Sequence, residues 1–495
     1  MKKFFLICAG LLSLLSLASC SKFLDKEPLS AATDENFWKT ESEGNSAVAG
    51  GYALLRKALN DGVAFYAYGD FPTDEFLPDL GQWEYGPITR LEWNQSISYA
   101  ETGRVLMKLR RYDNFYRVID QANRCIAYLP KIPLEKFTSS NAAAAREKLV
   151  GEAYFLRAFS YFYMARVWGG VPLVLQTNTD FANAVHLPRN TEAQVLAQAK
   201  SDIAEALKRL QWGVSTTGER AVRANKGAAF ALLAHLEAWK GDYAASALAA
   251  DSVLQKGGYQ YVARSSYGTI FKGQSSEGIF EISQNTSNEG VSASGYSIAG
   301  LTLRSPYLGI GITVPTLPLD ESTLWPKYAD SAVDLRVKNG FAFFQSTEPI
   351  CTKYANIVYT GSNQSGPVAQ NNMVVFRLSD LALLKAEALA ATGQFGEARN
   401  LLNGIRALAQ APAYTGADSG LFEYIIDERG RELFLEGHRF YDLVRLGRAK
   451  GILKFGGNRM TSAQFQEQKY YWPLEPYLMT LNPLLTQTDY WKTRM

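Results

Sequence analysis

The chain has 495 residues, of which 47% are hydrophobic and 20% charged, and its 51 basic and 48 acidic side chains give a formal charge of +3. A charge so close to zero excludes the broad positive field with which a protein attracts nucleic acid, and the composition is that of a globular protein with a large core. Four cysteines in a chain of this length exclude a disulfide-rich scaffold.

The first 19 residues have the pattern of a secretory signal. Two lysines precede an apolar segment of 14 residues, Phe4 to Leu17, which is too short to span a bilayer as a helix. The segment runs into the letters LASC (17–20), which resemble a bacterial lipobox, so Cys20 is the predicted lipidation site. Ordinary signal cleavage beside a chance cysteine is the alternative. Removing residues 1–19 leaves 49 basic and 48 acidic side chains, a formal charge of +1.

Most of the mature chain has helical periodicity. Apolar or small residues recur every three or four positions from Arg146 to Val167, and the glycines and proline that follow are expected to end this helix. Thr191 with Gln194 forms a capping-box pattern at the start of a second helix, which is predicted to end at Leu210.

Two pairs of predicted helices share one turn pattern, GDYAAS (241–246) and GQFGEA (393–398). In each pattern the glycine permits a left-handed turn, the aromatic residue fills the space between the helices, and the small residue lets the second helix approach. The spacing resembles the turn of a tetratricopeptide repeat. The predicted pairs are Lys226–Lys240 with Tyr243–Gln255, and Leu381–Ala391 with Phe395–Ala409.

The remaining helical pattern runs from Leu421 to Leu446 and predicts one long helix or two, with Gly430 and Gly437 as weak points. Cys125 lies in a helical pattern and is interpreted as a buried thiol; a disulfide with Cys351 is the alternative.

Two long regions, 61–95 and 261–307, have little periodicity and are rich in Gly, Ser, Asn, Pro and aromatic residues. Loops of this length in a compact domain are usually functional or disordered. Their aromatic content argues against disorder, so a function is expected in them.

Five segments, taken in order, make the chain similar to the SusD/RagB family of surface lipoproteins that capture nutrients. The resemblance implies a mainly α fold, in which tetratricopeptide-like repeats form a single-domain scaffold with long loop-rich, ligand-binding insertions. It also divides the chain into a signal peptide (1–19), an N-terminal region (20–230) and a C-terminal region (231–495). The segments are FLDKEP (23–28), EAYFLRAFSYFYMARVWGGVPLV (152–174), RLSDLALLKAEALAATGQFGEARNLLNGIRALA (377–409), DERGRELFLEGHRFYDLVRLGR (427–448) and NPLLTQTDYW (482–491).

The family resemblance implies a function at the cell surface. It predicts a protein that is anchored to the outer membrane through Cys20, captures an oligosaccharide or polysaccharide, and acts as the lid of a SusC-like TonB-dependent transporter. No cofactor, no nucleic-acid partner and no enzymatic activity are expected. Two alternatives stay open: a peptide-binding lid of such a transporter, and a non-catalytic helical-repeat scaffold at the outer membrane.

Ligand binding is expected in the loops at 66–95 and 322–336, because family members often bind there. Sugar rings stack their C–H faces on flat aromatic side chains, and their hydroxyls need partners such as Asp and Asn. For the tryptophans in these loops and for Tyr328, packing into the core is the alternative, and for Asp74 it is a helix cap. The predicted ligand-binding residues are Asp74, Trp83, Tyr85, Trp93, Asn94, Trp325 and Tyr328.

No residue spacing indicates catalysis or a metal site. His186, His235 and His438 are scattered, without metal-ligand or triad-like spacing, and His235 is interpreted as a core histidine. Two carboxylates such as Asp74 and Glu281 could flank a glycosidic bond, but no spacing singles out this pair.

Six charged residues within apolar helical patterns are expected to pair with other charges in the interior and to support the scaffold. These residues are Arg157, Glu428, Arg429, Arg439, Asp442 and Arg445.

Overall fold

The computed structural model describes residues 34–77, 84–98, 101, 103–177, 185–214, 216–286, 288–293, 295–309, 311–457 and 459–495. The signal segment and Cys20 lie outside the described residues, so lipidation stays a prediction. Within the described residues, no helix combines the length and the apolar character needed to cross a membrane.

The described chain is mainly helical, as predicted. The helices are α1 (Asp34–Phe37), α2 (Glu41–Asn60), α3 (Ala64–Gly69), α4 (Gly86–Thr89), α5 (Val105–Leu109), α6 (Asp113–Tyr128), α7 (Ala142–Trp168), α8 (Glu192–Arg209), α9 (Lys226–Lys240), α10 (Tyr243–Lys256), α11 (Thr269–Lys272), α12 (Ile298–Thr302), α13 (Glu321–Lys327), α14 (Leu335–Gly340), α15 (Leu378–Ala391), α16 (Phe395–Leu408), α17 (Leu421–Glu432), α18 (Arg439–Lys450), α19 (Ser462–Gln466) and α20 (Pro476–Leu481).

Short antiparallel strands accompany the loop-rich region between α10 and α15. β1 pairs with β7, β6 lies between β2 and β5, and β3 pairs with β4. The strands are β1 (Gly278–Ile282), β2 (Val291–Ser292), β3 (Phe341–Ala342), β4 (Ile350–Cys351), β5 (Ile357–Tyr359), β6 (Pro367–Ala369) and β7 (Met373–Arg377).

The long helices stack in chain order. Helix α2 packs on α6, and from there each of α6, α7, α8, α9, α10, α15 and α16 packs against the next. The region with the strands is therefore an insertion between α10 and α15 of a continuous helical stack. One hydrophobic cluster contains residues from Leu55 to Trp491, so the stack and its insertion share a core.

Both predicted repeat turns are confirmed. Gly241 and Gly393 have φ angles of 83° and 80°, in the left-handed region that favours glycine. After the first turn, the buried Ser246 donates a hydrogen bond of 2.9 Å to the carbonyl of Ala234, which brings α10 close to α9. Ala398, the equivalent residue after the second turn, is also buried.

Helix starts were also predicted from local side chains. The side chain of Thr191 accepts from the backbone N–H of Gln194, and the Gln194 side chain accepts from the backbone of Thr191, which confirms the capping box of α8. Helix α7 begins four residues before the predicted helix, because Asn141 caps its first turn by accepting from Ala144 N–H.

The predicted helical region 421–446 is two helices, α17 and α18, separated near Gly437. Gly437 has a φ of 77°, whereas Gly430 stays inside α17. Helix α3 packs against this break: an added Cβ at Gly437 would lie 2.6 Å from the ring of Phe65, and one at Gly69 would meet the Gly437 carbonyl. Glycine is therefore required at both positions by close backbone approach.

Replacing Gly437 with alanine is expected to lower the free energy of unfolding by about 1–3 kcal/mol, because the new methyl group overpacks against Phe65 and strains a left-handed backbone. Gly396→Ala is the matched control, since nothing lies within 4 Å of the Cβ it adds in α16. We expect the control to be neutral or stabilising. Urea unfolding followed by circular dichroism measures both changes, and equal effects would contradict the packing explanation.

The region 61–95 differs from the expected open loop. It contains α3 and α4, and side chains such as Phe65, Tyr66 and Tyr68 are buried in the main hydrophobic cluster. The described aromatic residues Tyr66, Tyr68 and Trp93 therefore belong to the core, since their rings pack against rings from distant parts of the chain.

Cys125 and Cys351 are both free and buried. The interpretation of Cys125 as a buried thiol is confirmed, and the alternative of a disulfide between the two is wrong.

The six charged residues in the apolar patterns are buried and paired, as predicted. The shortest contacts from each arginine nitrogen to a carboxylate oxygen are Arg157–Asp202 at 2.7 Å, Arg336–Glu428 at 2.6 Å, Arg429–Asp442 at 2.9 Å, Arg439–Asp74 at 2.9 Å and Arg445–Glu387 at 2.6 Å.

Candidate ligand-binding face

Several other loop segments contact the loop 343–349, which joins β3 to β4. The Arg304 guanidinium donates to the backbone carbonyls of Thr347 (3.3 Å) and Glu348 (3.2 Å). From the other side, the backbone N–H of Glu348 donates to the Glu321 carboxylate at 2.7 Å. These contacts fix both the segment after α12 and the start of α13 to the same loop.

Aromatic rings and a guanidinium lie together at this loop. The guanidinium of Arg304 lies over the ring of Phe343, 3.8 Å from its centroid. The ring of Tyr307 meets Phe343 edge to face with centroids 6.4 Å apart, and 37% of Tyr307 is exposed. The hydroxyl of Tyr359 accepts from Gly309 N–H at 3.1 Å, which ties the segment that carries Tyr307 to β5.

Of the two predicted tryptophans that the structure describes, Trp325 is the one open to solvent, with 39% exposure. It follows Glu321, whose carboxylate binds loop 343–349, by four residues in α13, and residues four apart lie on the same side of a helix. We call Arg304, Tyr307, Trp325 and Phe343 the aromatic loop cluster. It combines exposed ring surface with a positioned hydrogen-bond donor.

Tyr328, predicted as a second stacking residue beside Trp325, is buried. Its ring contacts Phe341, Phe344 and Phe434, and its hydroxyl donates to the Arg431 carbonyl at 2.7 Å. The prediction of ligand contact is wrong for this residue, because its ring is buried against these three phenylalanines.

Trp93 is fully buried (0% exposed) and stacks on Trp472 with ring centroids 4.2 Å apart. Its indole N–H donates to the Ile88 carbonyl at 3.2 Å. Its neighbour Asn94 is exposed, but the Asn94 amide donates to the backbone carbonyl of Arg494 at the end of the chain. The predicted stacking role of Trp93 is wrong, and Asn94 contacts the C-terminal segment.

Tyr85 is also buried, and its hydroxyl donates to the Gly295 carbonyl at 3.1 Å. Its predicted contact with ligand is therefore wrong in this structure, and the residue links the segment after residue 83 to the loop before α12. Trp83 lies outside the described residues, so its role stays a prediction.

Asp74 holds α13 in place. Its carboxylate lies 2.9 Å from Arg439 and 3.5 Å from Lys327, and its backbone carbonyl accepts from the Thr323 hydroxyl. Burial alone would raise the pKa of Asp74, but the positive charges of Arg439 and Lys327 hold it below the ordinary value. The carboxylate is thus ionised and already paired, which favours a supporting role over direct contact with a sugar hydroxyl.

The carboxylate pair considered for hydrolysis does not form an open site. Glu281 is buried and accepts from the Asn372 amide and the Gln274 N–H, both at 2.8 Å. Burial raises its pKa to about 7. Because Asp74 is ion-paired and Glu281 is enclosed, neither carboxylate faces a substrate in this structure.

A buried charge network surrounds Glu432, the last residue of α17. Glu432 is 2.6 Å from Arg264, 2.8 Å from Arg377 and 3.2 Å from Arg336. Burial would raise the pKa of Glu432, but these three guanidinium groups hold it well below the ordinary value. The break between α17 and α18 is tied to the segment after β4, because the Lys353 ammonium donates to the Phe434 carbonyl at 2.7 Å.

Two histidines that are far apart in the sequence come together with Asp380. Ligand atoms of His235, Asp380 and His438 lie within 4.8 Å of one another, and His235 Nε2 is 2.8 Å from the Asp380 carboxylate. The Arg429 guanidinium also contacts Asp380 at 3.0 Å, so a positive charge already occupies the place where a cation would need the carboxylate. The interpretation of His235 as a core histidine is confirmed.

The sequence did not single out Arg304, Tyr307 or Phe343. The only signal was the aperiodic, aromatic-rich region 261–307, which ends at Tyr307 and was expected to be functional. Nothing local marks Phe343 as the partner of Arg304, because the two meet only when the β3–β4 hairpin folds back on the segment after α12.

A helical stack that presents exposed rings on an inserted set of loops defines a binding protein of tetratricopeptide-like architecture. Residues 339–491 match the model of the SusD family, and residues 22–237 match a family model described as starch-binding and associating with the outer membrane. The chain belongs to the SusD/RagB family.

Relatives and solved structures agree with this assignment. The chain is 29% identical to SusD-like protein P38 of Formosa agariphila over 529 aligned positions, covering 98% of this chain and 99% of the relative. A SusD homologue from Bacteroides thetaiotaomicron superposes with a TM-score of 0.79 and 25% identity, covering 92% of this chain and 99% of that one. NanU of B. fragilis shares the fold, with a TM-score of 0.72, 21% identity, and coverage of 93% and 99%.

The SusD-like family is one of nutrient- and glycan-binding proteins associated with the outer membrane, and the family matches indicate no catalytic family.

Proposed function

We propose that the aromatic loop cluster captures an oligosaccharide or polysaccharide and that the protein delivers it to a SusC-like TonB-dependent transporter. The observation that carries this proposal is that the exposed Tyr307 and the Arg304 guanidinium both pack on Phe343 of one loop, while the exposed Trp325 lies one helical turn after Glu321, which binds the same loop. Ring faces of this kind stack on the C–H surfaces of sugars, and a guanidinium donates to their hydroxyls.

The geometry favours a site that is formed before the ligand arrives. Arg304 is held by three backbone carbonyls and by the ring of Phe343, so its remaining donors have a restricted orientation. Such preorganisation reduces the entropy that is lost on binding. Each ring contributes modestly, and a chain of several sugars gains affinity by engaging more than one of them.

The proposal includes attachment through a lipid on Cys20 at the cell surface. Anchoring keeps the protein at high effective concentration beside its transporter, which allows it to act as a lid. A stable contact with the transporter should bury more than roughly 1,200 Å².

Replacing Tyr307 or Trp325 with alanine is expected to weaken glycan binding by roughly threefold to tenfold each, because a stacked ring contributes about 0.5–1.5 kcal/mol. Isothermal calorimetry of the purified mature protein against plant, host and microbial glycans and mixed peptides identifies the ligand and measures the loss. Tyr477→Ala is the matched control, since Tyr477 is 41% exposed but belongs to α20, outside the cluster.

Wild-type affinity in both cluster variants would contradict the proposed site. A heat of binding with peptides alone would favour the peptide-binding alternative. A folded protein that gives no heat of binding with any ligand would favour the scaffold alternative.

A further inference from the structure

A cleft lies at the end of α2 that is remote from the aromatic loop cluster. The last residue of α2, Asn60, lines a crevice beside Tyr296 and Ile298, next to the segment that leads to Arg304. The first residue, Glu41, lines a separate cleft of about 420 Å³. A helix of 20 residues is about 30 Å long, so the cleft is remote from the aromatic loop cluster.

This cleft is formed by the first turns of α2 and α7 and by the segment between α8 and α9. We call it the Trp212 cleft. Its volume is within the range of roughly 300–1,000 Å³ that is usual for small-ligand sites. Its polar and aromatic lining residues are Glu41, Asn45, Ser139, Lys148, Gln211, Trp212, Glu219, Arg223 and Asn225.

The charged side chains in the wall of the Trp212 cleft already have partners. Lys148 binds the Glu219 carboxylate at 2.8 Å. Arg223 pairs with the buried Glu152, which does not line the cleft, and donates to the Asn45 side chain at 3.1 Å. Glu41 accepts from backbone N–H groups of the segment that precedes α7. None of these four charged side chains in the wall therefore offers an unpaired charge with which to select an anion or a cation.

Trp212 presents ring surface to the cleft. One face of the indole stacks on Phe230, with centroids 5.5 Å apart and planes 9° apart, and Phe230 is not among the cleft-lining residues. The cleft therefore meets the opposite face or the edge of the indole. In the part of the chain that the structure describes, neither the indole N–H nor the neighbouring Gln211 amide is engaged by a protein group.

We propose that the Trp212 cleft is a second binding site, specific for one or two rings of a neutral saccharide. An apolar ligand would cover the Lys148–Glu219 pair without replacing the hydrogen bonds that water makes to it, which costs free energy. Sugar hydroxyls both donate and accept, so they can bind such a pair and the amides of Asn45 and Gln211. The site does not depend on the aromatic loop cluster, so each proposal can fail without the other.

The test is fluorine NMR of the mature protein labelled with 5-fluorotryptophan. The chain has nine tryptophans, so the resonances must be assigned. The variant Trp212→Phe assigns the resonance of Trp212, and Trp325→Phe assigns that of Trp325 in the aromatic loop cluster. The probes are maltohexaose, cellohexaose, laminarihexaose and xylohexaose, with triglycine, citrate and spermidine as charged comparisons. We expect a saturable shift of the Trp212 resonance with at least one neutral oligosaccharide, and the same shift in the Tyr307→Ala variant.

A second variant separates binding from folding. Gln211 is exposed, and replacing it with alanine should leave the unfolding midpoint unchanged while weakening the Trp212 response by roughly threefold to tenfold, as expected for the loss of a hydrogen bond. Wild-type affinity in this folded variant would overturn the proposal.

Three further results would also overturn it. These are a Trp212 resonance that no sugar moves at millimolar concentration, a response to the charged comparison ligands alone, and a response that disappears with Tyr307→Ala. The third result would mean that the Trp212 resonance responds indirectly to binding at the aromatic loop cluster. A Trp325 shift without a Trp212 shift would support the proposed function and reject the cleft.

Discussion

Replacing Glu432 with glutamine is expected to lower the free energy of unfolding by about 3–5 kcal/mol, because three buried arginines lose the carboxylate that they share. Glutamine has nearly the same shape, so the effect reports charge and hydrogen bonding, not volume. Its amide NH₂ would also face the guanidinium donors of Arg264, Arg336 and Arg377, leaving buried donors without acceptors. Urea unfolding followed by circular dichroism measures the change.

Asp489→Asn is the control for this experiment. Asp489 is exposed and pairs with Lys492 at 2.6 Å, and exposed pairs contribute little to stability because water and salt screen them. We expect no measurable change in this variant. If Glu432→Gln is no less stable than Asp489→Asn, the buried network is not required for the fold.

Lowering the pH from 7 to 5 is expected to destabilise the protein through His438 by roughly 2 kcal/mol, and His438→Gln should remove this loss. Burial lowers the pKa of His438 to about 4, from an ordinary value of 6.5. Between these values the unfolded chain binds a proton that the folded protein does not bind. Stability from this residue is therefore complete above pH 6.5 and falls as the pH decreases toward 4.

The comparison between variant and wild type is needed because other groups titrate in the same window. Burial raises the pKa of Glu281 to about 7, so the folded protein holds a proton there that the unfolded chain releases. This group gains stability as the pH falls from 7 to its unfolded value of 4.5, which opposes the histidine effect.

The measurement is the free energy of urea unfolding at pH 7 and pH 5. The exposed His186 provides the control His186→Gln, whose profile should follow that of the wild type. Parallel pH profiles for His438→Gln and the wild type would contradict the prediction.

Much of the helical scaffold could be predicted from the sequence because its signals are local. The turns at Gly241 and Gly393, the capping box at Thr191 and the amphipathic patterns depend on residues within a few positions of one another. The five segments that resemble the SusD/RagB family also implied the repeat architecture, and the structure confirms it. The break at Gly437 was expected only as a weak point, since its necessity comes from contact with α3.

The candidate site could be predicted only in part. The sequence identified the loop region that ends at Tyr307 and named Trp325, but it also named Tyr85, Trp93 and Tyr328, which are buried. Composition cannot separate exposed from buried aromatic residues, because an aromatic side chain in a glycine-rich loop can either stack on a sugar or pack in the core.

The sequence by itself determined the helices, the repeat turns and the fact that charges in apolar patterns must pair. Only the tertiary structure decided which partners meet: Glu432 binds Arg264, 168 residues earlier, and Trp93 is covered by Trp472. The same holds for exposure, since Trp325 is 39% exposed whereas Tyr328, three residues later, is buried against Phe341. The physical reason is that helix formation depends on neighbours in the chain, whereas burial and ion pairing depend on what folding brings into contact.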